Sequence, residues 1–184
     1  MRRFLAVVFA LGFSAPLSAA TIVVHDGKGR ACYEANLYPQ SPEKDRTGIA
    51  ACNQALEPAN DDIRFRVAAF VNRSDIRLRM KDFEGAASDA GQAIALQPQL
   101  AVAYLNKGAA LVGLQRDADA IAVLDQAISI GTDTPELVYF NRALAREHSG
   151  DIKGAYLDYR MALRANPEFQ LAADELRRFK VVAN

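Results

Sequence analysis

The sequence predicts an all-α protein made of antiparallel helical hairpins stacked one upon the next. The first observation is a repeated pair of alanines seven residues apart. The second is the period: the first members of successive pairs are 34 and then 35 residues apart. A period of this length is typical of helix–turn–helix arrays. The three pairs are Ala86 and Ala93, Ala120 and Ala127, and Ala155 and Ala162.

The third observation is the arrangement around each pair, which is clearest in residues 148–167. Ser149 and Gly150 form a turn that breaks a helix, and a second helix opens near Asp151. Pro167 ends that helix. Apolar residues inside such segments recur at intervals of three and four, which is the helical period.

These residues resemble the tetratricopeptide repeat (TPR) family over roughly residues 67–167. The resemblance implies a short right-handed superhelix of two-helix units, in which small residues let paired helices approach closely. It assigns the small position of each first helix to Ser74, Gly108 and Arg142, facing Ala86, Ala120 and Ala155. Arg142 departs from the pattern, and we expect its guanidinium to reach solvent. Pro98 and Pro167 end their repeats, whereas Thr132 stands there in the middle one.

The amino terminus predicts an export signal over residues 1–20. Arg2 and Arg3 precede an apolar run that ends near Leu17, and small residues follow before Thr21. This order of a charged, an apolar and a small-residue region is typical of a cleaved secretory signal. The run is shorter than the roughly 20 residues of a membrane-spanning helix, although an uncleaved anchor helix stays open as an alternative. We expect an exported chain, periplasmic or secreted, without membrane insertion once the signal is removed.

The charge balance gives no reason to expect a nucleic-acid or membrane partner. The chain has 22 basic and 22 acidic residues, and loss of Arg2 and Arg3 leaves a slight negative excess. A basic surplus would be needed to attract polyanions. The length suits one domain with a real core.

Residues 21–60 predict an amino-terminal arm followed by a degenerate hairpin. Thr21–Val24 reads as a strand or extended arm and His25–Gly29 as a turn. Helices are expected over about 31–38 and 43–56, the second opened by Ser41 as N-cap and by Pro42. The TPR resemblance places Cys32 on the first helix where it packs on Cys52. We therefore expect a disulfide in an oxidising compartment, with two buried free thiols as the alternative.

From residue 61 onward the helices alternate regularly. The predicted bounds are roughly 62–80, 83–96, 100–114, 117–130, 135–148 and 151–165, which make three repeats over about 67–100, 101–134 and 135–168. A last helix within 168–184 presents Phe169, Ala172, Leu176 and Phe179 on one stripe. A terminal helix with a polar outer face closes the exposed end of a stacked array, so we interpret it as a cap.

The search for catalytic motifs is negative, and neither an enzyme nor a cofactor or metal site is predicted. His25 and His148 lie far apart in sequence and belong to no known motif. We expect His148 to cap carbonyls at a helix end. A basic stripe of Arg66, Arg73 and Arg77 is expected to face the first hairpin, where it could pair with Glu43, Asp45 or Glu57.

One polar position repeats with the period of the array. Asn72, Asn106 and Asn141 are 34 and 35 residues apart. The TPR resemblance implies that this site lines the concave groove, where an amide offers a donor and an acceptor to any peptide backbone. The alternative is that these amides bond neighbouring helices. By the same count the groove also includes Val71, Leu105, Phe140 and Arg79, with His148 further along.

These observations predict an exported, non-catalytic, monomeric interaction module that holds a peptide or partner protein in its concave groove. One rival is an assembly module that self-associates through its convex face or its last helix, residues 169–182. A second rival is an enzyme or small-ligand carrier, which would need a buried polar pocket containing His25 or His148.

Overall fold

A computed structural model describes residues 27–37, 41–57 and 62–179. The predicted export signal over residues 1–20, the Thr21–Val24 arm and His25 lie outside these ranges. The described residues form nine helices. They are α1 (Gly27–Leu37), α2 (Pro42–Ala55), α3 (Ile63–Arg79), α4 (Phe83–Leu96), α5 (Ala101–Gly113), α6 (Asp117–Ile130), α7 (Pro135–His148), α8 (Ile152–Ala165) and α9 (Gln170–Leu176).

The helices α3 to α8 lie within one residue of their predicted bounds, because the sequence carries their end signals. Asp82 and Asp151 each accept a hydrogen bond from the backbone N–H three residues later, at 3.0 and 2.9 Å. Ser41 does the same for Lys44 at the start of α2, as predicted. A side chain that satisfies a free N–H fixes where a helix begins.

Helix α1 begins earlier than expected, and the predicted turn at Gly27–Gly29 is wrong. Those residues form the first turn of the helix. Glycine is a poor helix former, but α1 packs along both α2 and α3. Its Cys32 side chain is also buried and bonded to α2. Packing of this kind supplies most helical stability in proteins, so it outweighs the local preference.

The helices pair as hairpins, and the hairpins stack in a curved row. Each odd-numbered helix from α1 to α7 packs along the even-numbered helix that follows it. The odd-numbered helices also contact one another in succession, whereas among the described residues successive even-numbered helices make at most marginal contact. The row therefore curves with α1, α3, α5 and α7 on its inner, concave side and with α2, α4, α6 and α8 on its outer side.

Close approach within the hairpins occurs at the small positions, with one correction to the predicted register. Ser74 Oγ donates to the Ala86 carbonyl at 3.0 Å, and Leu124 packs onto Gly108. In the last hairpin the small residue is Ala143, which is fully buried. The assignment of this position to Arg142 is wrong because the second period is 35 residues and not 34.

The carboxy-terminal helix packs as its stripe predicted. Ala172 is fully buried, and Phe169, Leu176 and Phe179 pack on the core formed by α7 and α8. The Phe169 ring meets Phe140 edge-on, with centroids 5.4 Å apart. The apolar side of α9 is thus turned towards its own chain. None of the described helices is both long enough and apolar enough to cross a membrane.

Candidate peptide-binding groove

The asparagine ladder lies on the inner helices, as the repeat period predicts. Asn72, Asn106 and Asn141 occupy equivalent positions on α3, α5 and α7. Asn72 and Asn106 are 8% and 6% exposed, and Asn141 is half-buried. The ladder therefore lies in the wall of the concave side and does not project from it.

The amide nitrogens of Asn106 and Asn141 are used within the protein. Asn106 Nδ2 donates to the Val71 carbonyl of α3 at 3.4 Å, which joins two inner helices. Asn141 Nδ2 donates to the Leu137 carbonyl one turn earlier in its own helix, at 2.8 Å. Asn72 also has an interaction partner. The Asn106 contact corresponds to the alternative in which these amides bond neighbouring helices, whereas Asn141 bonds its own helix.

The carboxamide oxygens differ from the nitrogens. Within the described ranges no donor reaches Oδ1 of Asn106 or of Asn141. Neither oxygen is fully shielded from solvent. Each is thus an unused acceptor among the described residues, on helices one repeat apart, and an acceptor of this kind suits a backbone N–H.

The apolar residues that were assigned to the groove differ in how deeply they are buried. Val71 is half-buried, but Leu105 is 7% exposed and Phe140 only 1%. Phe140 packs between Tyr159 and Phe169. Since a side chain that fills the core offers no surface to a ligand, Phe140 is structural.

Partly exposed apolar residues occur one turn earlier on the same helices. Ala68, Val102 and Leu137 are half-buried and are again spaced by 34 and 35 residues. The spacing of this position is visible in the sequence, but the position was not predicted to line the groove, because nothing in the sequence separates half-buried from fully buried apolar residues. With Val71 they are half-buried apolar residues of the inner helices, within about one turn of the ladder, and Val71 and Leu137 also pack partly on the core.

Arg79 is not available as a groove cation. Its side chain is 8% exposed and donates to Asp45 of α2 at 2.9 Å and to Asp75 at 2.7 Å. Its guanidinium also lies near the Ala35 carbonyl of α1. The role of Arg79 is therefore to join the first hairpin to the array.

The basic stripe faces a different hairpin from the one predicted. Arg73 and Arg77 both bond the buried Asp89 of α4, in their own hairpin. Arg73 does reach the first hairpin, but through the Asn53 amide oxygen of α2 and not through a carboxylate. Arg66 is half-buried. Arg73 and Arg77 therefore hold α3 against α4, and their charge is compensated within the protein by Asp89.

His148 joins two hairpins and does not cap carbonyls as expected. Its Nδ1 lies 3.1 Å from Asp117 Oδ1, at the junction of the end of α7 and the start of α6. Both side chains are mostly buried, at 20% and 16% exposed. Across the described residues, no three His, Cys, Asp or Glu side chains are grouped to hold a metal ion.

The predicted disulfide is confirmed. Cys32 of α1 and Cys52 of α2 are bonded with an S–S distance of 2.04 Å, and both are almost fully buried. The bond fixes α1, the first of the inner helices, against its partner.

No family model and no curated protein matches the sequence. Among solved structures the chain is similar to the TPR domain of Arabidopsis OM64, with 26% identity, 61% of this chain and 92% of that domain covered, and a TM-score of 0.57. It is also similar to a double mutant of MamA from RS-1, with 15% identity, 82% of each chain covered and a TM-score of 0.64. A TPR protein of Thermus thermophilus matches with 20% identity over 82% of this chain and 85% of that one, at a TM-score of 0.53. The fold predicted from the repeat period is confirmed.

Proposed function

We propose that this chain, which has the fold of tetratricopeptide repeat proteins, holds an extended peptide segment of a partner protein along its concave side. The fold is that of a protein-interaction module. The proposal adds the place and the mode of contact. Binding takes place without making or breaking covalent bonds.

The observation that carries the proposal is the pair of available oxygens on Asn106 and Asn141. They lie one repeat apart on the inner helices α5 and α7. A bound strand presents backbone N–H groups at regular intervals, and an amide oxygen accepts from any of them regardless of side chain. Because the Nδ2 groups are held by carbonyls of the protein, the two oxygens are already oriented before binding. Preorganisation of this kind lowers the entropic cost of binding.

The surroundings of the ladder indicate the kind of peptide. Ala68, Val102 and Leu137 offer partly exposed apolar surface beside it. The middle inner helix α5 has a single charged residue, Lys107. A groove of this composition favours a segment with small or medium apolar side chains over one that relies on a terminal carboxylate.

We further propose that the protein acts outside the cytoplasm. Two features support this: the predicted export signal and the buried disulfide between Cys32 and Cys52. Disulfides persist in oxidising compartments. Cell fractionation with intact-mass analysis tests the assignment, since an unprocessed chain with two alkylatable thiols in the cytoplasm would contradict it.

Selection of displayed random peptides against residues 21–184 tests groove binding. The informative variant is Asn106→Leu with Asn141→Leu, which removes both oxygens and both Nδ2 donors and keeps the branching and the number of heavy side-chain atoms. The matched control is Gln92→Leu with Gln126→Leu, which makes the same kind of change on the outer helices α4 and α6. Selected peptides should lose affinity for the groove variant about tenfold or more, because each lost hydrogen bond leaves a buried peptide group unpaired, and should keep it for the control. Equal binding to both variants would remove the ladder from the function.

Self-association through the last helix would need an exposed apolar stripe on that helix. Phe169, Leu176 and Phe179 pack on the chain's own core. We therefore expect light scattering of the mature chain to give the mass of a monomer.

A further inference from the structure

The outer face of α8 has a composition unlike that of the other outer helices. Lys153, Leu157, Arg160 and Arg164 follow one another at intervals of four, three and four residues, so they lie on one side of the helix. All four are exposed, Leu157 to 47%. Ile152, at the start of the helix, is 52% exposed. This α8 stripe, Lys153–Leu157–Arg160–Arg164, combines positive charge with uncovered apolar surface.

The cations of the α8 stripe have no carboxylate partner among the residues that the structure describes. Lys153 and Arg164 make no ion pair there, and Arg160 lies only against the Tyr156 ring, with its guanidinium carbon 5.7 Å from the centroid. The arginines of the neighbouring α7 differ, since Arg142 and Arg146 both bond the buried Asp158. The charge on α8 is therefore available to another molecule.

The repeats supply an internal comparison for this face. The equivalent positions on α6 are Ala118, Ala122, Asp125 and Ser129, and on α4 they are Glu84, Ser88, Gly91 and Ala95. Neither helix places a cation or a large apolar residue there. A solvated outer helix of this array thus needs no such residues, and exposed leucine beside uncompensated charge is what an interface would use.

We propose that the α8 stripe is a second docking surface, which takes an acidic amphipathic helix of a partner protein. The stripe runs about 16 Å along the helix, which matches about three turns of a partner helix. Glutamates at the same spacing would meet the three cations, and an apolar residue would cover Leu157. An anionic bilayer is disfavoured because polybasic membrane sites usually have about four to eight cations.

This surface is independent of the proposed groove, because α8 lies on the outer side of the array and the ladder on the inner side. The two proposals can therefore fail separately. One protein could hold a peptide inside and dock to a partner outside at the same time.

The test uses residues 21–184 and a synthetic helical peptide with glutamates at intervals of four, three and four residues around a leucine. Binding is measured by fluorescence anisotropy at low and at high salt. The informative variant is Lys153→Gln, Arg160→Gln, Arg164→Gln. The matched control, Arg46→Gln, Arg64→Gln, Lys81→Gln, removes the same charge from exposed positions on other segments. Both must first show unchanged helicity and melting.

We expect the acidic peptide to bind the wild-type chain and the control alike. The α8 variant should bind about tenfold or more weakly, and added salt should weaken the wild-type complex because the contact is electrostatic. Leu157→Ser should also weaken binding, because the leucine is the apolar contact of the stripe. Binding by charge alone would not respond to this substitution.

Three outcomes would overturn the proposal. The first is no binding of the peptide to the wild-type chain. The second is an equal loss in the control variant, which would show that only net charge matters. The third is binding of phosphatidylglycerol–phosphatidylethanolamine vesicles, but not of the peptide, through the same three residues, which would make the α8 stripe a membrane contact.

Discussion

Arg142 holds Asp158 through two parallel hydrogen bonds, Nε to Oδ2 at 2.8 Å and Nη2 to Oδ1 at 2.6 Å. The same pair of bonds, with the same lengths, joins Arg73 to Asp89 two repeats earlier. In each case a second arginine one turn later bonds the same carboxylate. Asp158 is almost fully buried, and the arginine that was expected at the surface is what neutralises it.

Arg142→Leu should lower the free energy of unfolding by about 2 kcal/mol, because Asp158 loses two hydrogen bonds from a charged donor and keeps the one from Arg146. Urea unfolding followed by circular dichroism measures the loss. A change below about 0.5 kcal/mol, the usual size for a surface substitution, would show that the pair contributes little.

The middle repeat provides the control for that variant. It has Lys107, Leu111 and Val123 where the third repeat has Arg142, Arg146 and Asp158. The triple change Arg142→Lys, Arg146→Leu, Asp158→Val should therefore cost much less than Arg142→Leu alone, since a buried ionic group is often replaced by apolar residues at little cost. A triple variant less stable than the single one would contradict this account.

Substitutions in the turns inside the hairpins should change the stability of the protein in a predictable direction. Lys81, Gln115 and Gly150 occupy the same repeat position with φ of 62°, 58° and 87°. Residues other than glycine are strained in this left-handed region of φ. Gln115→Gly should raise the melting temperature and should raise the free energy of unfolding by about 1 kcal/mol. Gly150→Ala should lower both, with a change in free energy of similar size. Shifts of the same sign in both variants would rule out the explanation.

Loss of the disulfide should weaken the amino-terminal hairpin in particular. The bonded cysteines are 20 residues apart, so the loop-entropy model predicts a cost of roughly 3 kcal/mol for Cys32→Ser with Cys52→Ser. Contacts in a repeat array are mostly between neighbours, so hydrogen exchange should accelerate in α1 and α2 and stay nearly unchanged in α7 and α8. Uniform acceleration along the chain would contradict the expected local effect.

The ionisation of Tyr159 should lower the free energy of unfolding at high pH. Burial, and secondly the charge of Glu147, raises the pKa of the Tyr159 hydroxyl, which donates to Glu147 Oε2 at 3.0 Å. In the unfolded chain a tyrosine ionises near pH 10. The folded state thus keeps a proton that the unfolded state loses, and this stabilisation is complete below about pH 10 and declines above it.

Between about pH 9 and about pH 11 the free energy of unfolding should therefore fall less for Tyr159→Phe than for the wild-type chain. Its baseline at neutral pH should be lower by about 1 kcal/mol for the lost hydrogen bond. Urea unfolding at a series of pH values gives both numbers. Parallel pH curves for the two proteins would show that Tyr159 does not titrate differently in the two states.

The features that the sequence predicted are those set by local signals and by the period. Residues such as Ser41 and Asp151 marked helix starts, and paired small residues such as Ala120 and Ala127 identified the packed faces. The disulfide followed from the TPR resemblance, which placed Cys32 opposite Cys52. These signals act within one hairpin, so a sequence can display them.

The errors concern contacts between hairpins and the depth of burial. The partner of Arg79 is Asp45, 34 residues away on another hairpin, and nothing local distinguishes it from Glu43. Phe140 and Val71 share a repeat position, yet only Phe140 is sealed by α8 and by Phe169. Register mattered too, because one extra residue moved the small position from Arg142 to Ala143.

Site-specific photocross-linking shows whether a bound peptide lies on the concave side. A selected peptide with a photoreactive phenylalanine is irradiated with residues 21–184, and the attachment sites are read by mass spectrometry. If the peptide lies there, cross-links form to α3, α5 and α7, near Val71, Val102 and Asn141, and they are lost on competition with unlabelled peptide. Cross-links confined to the outer helices α4, α6 and α8 would contradict binding on the concave side.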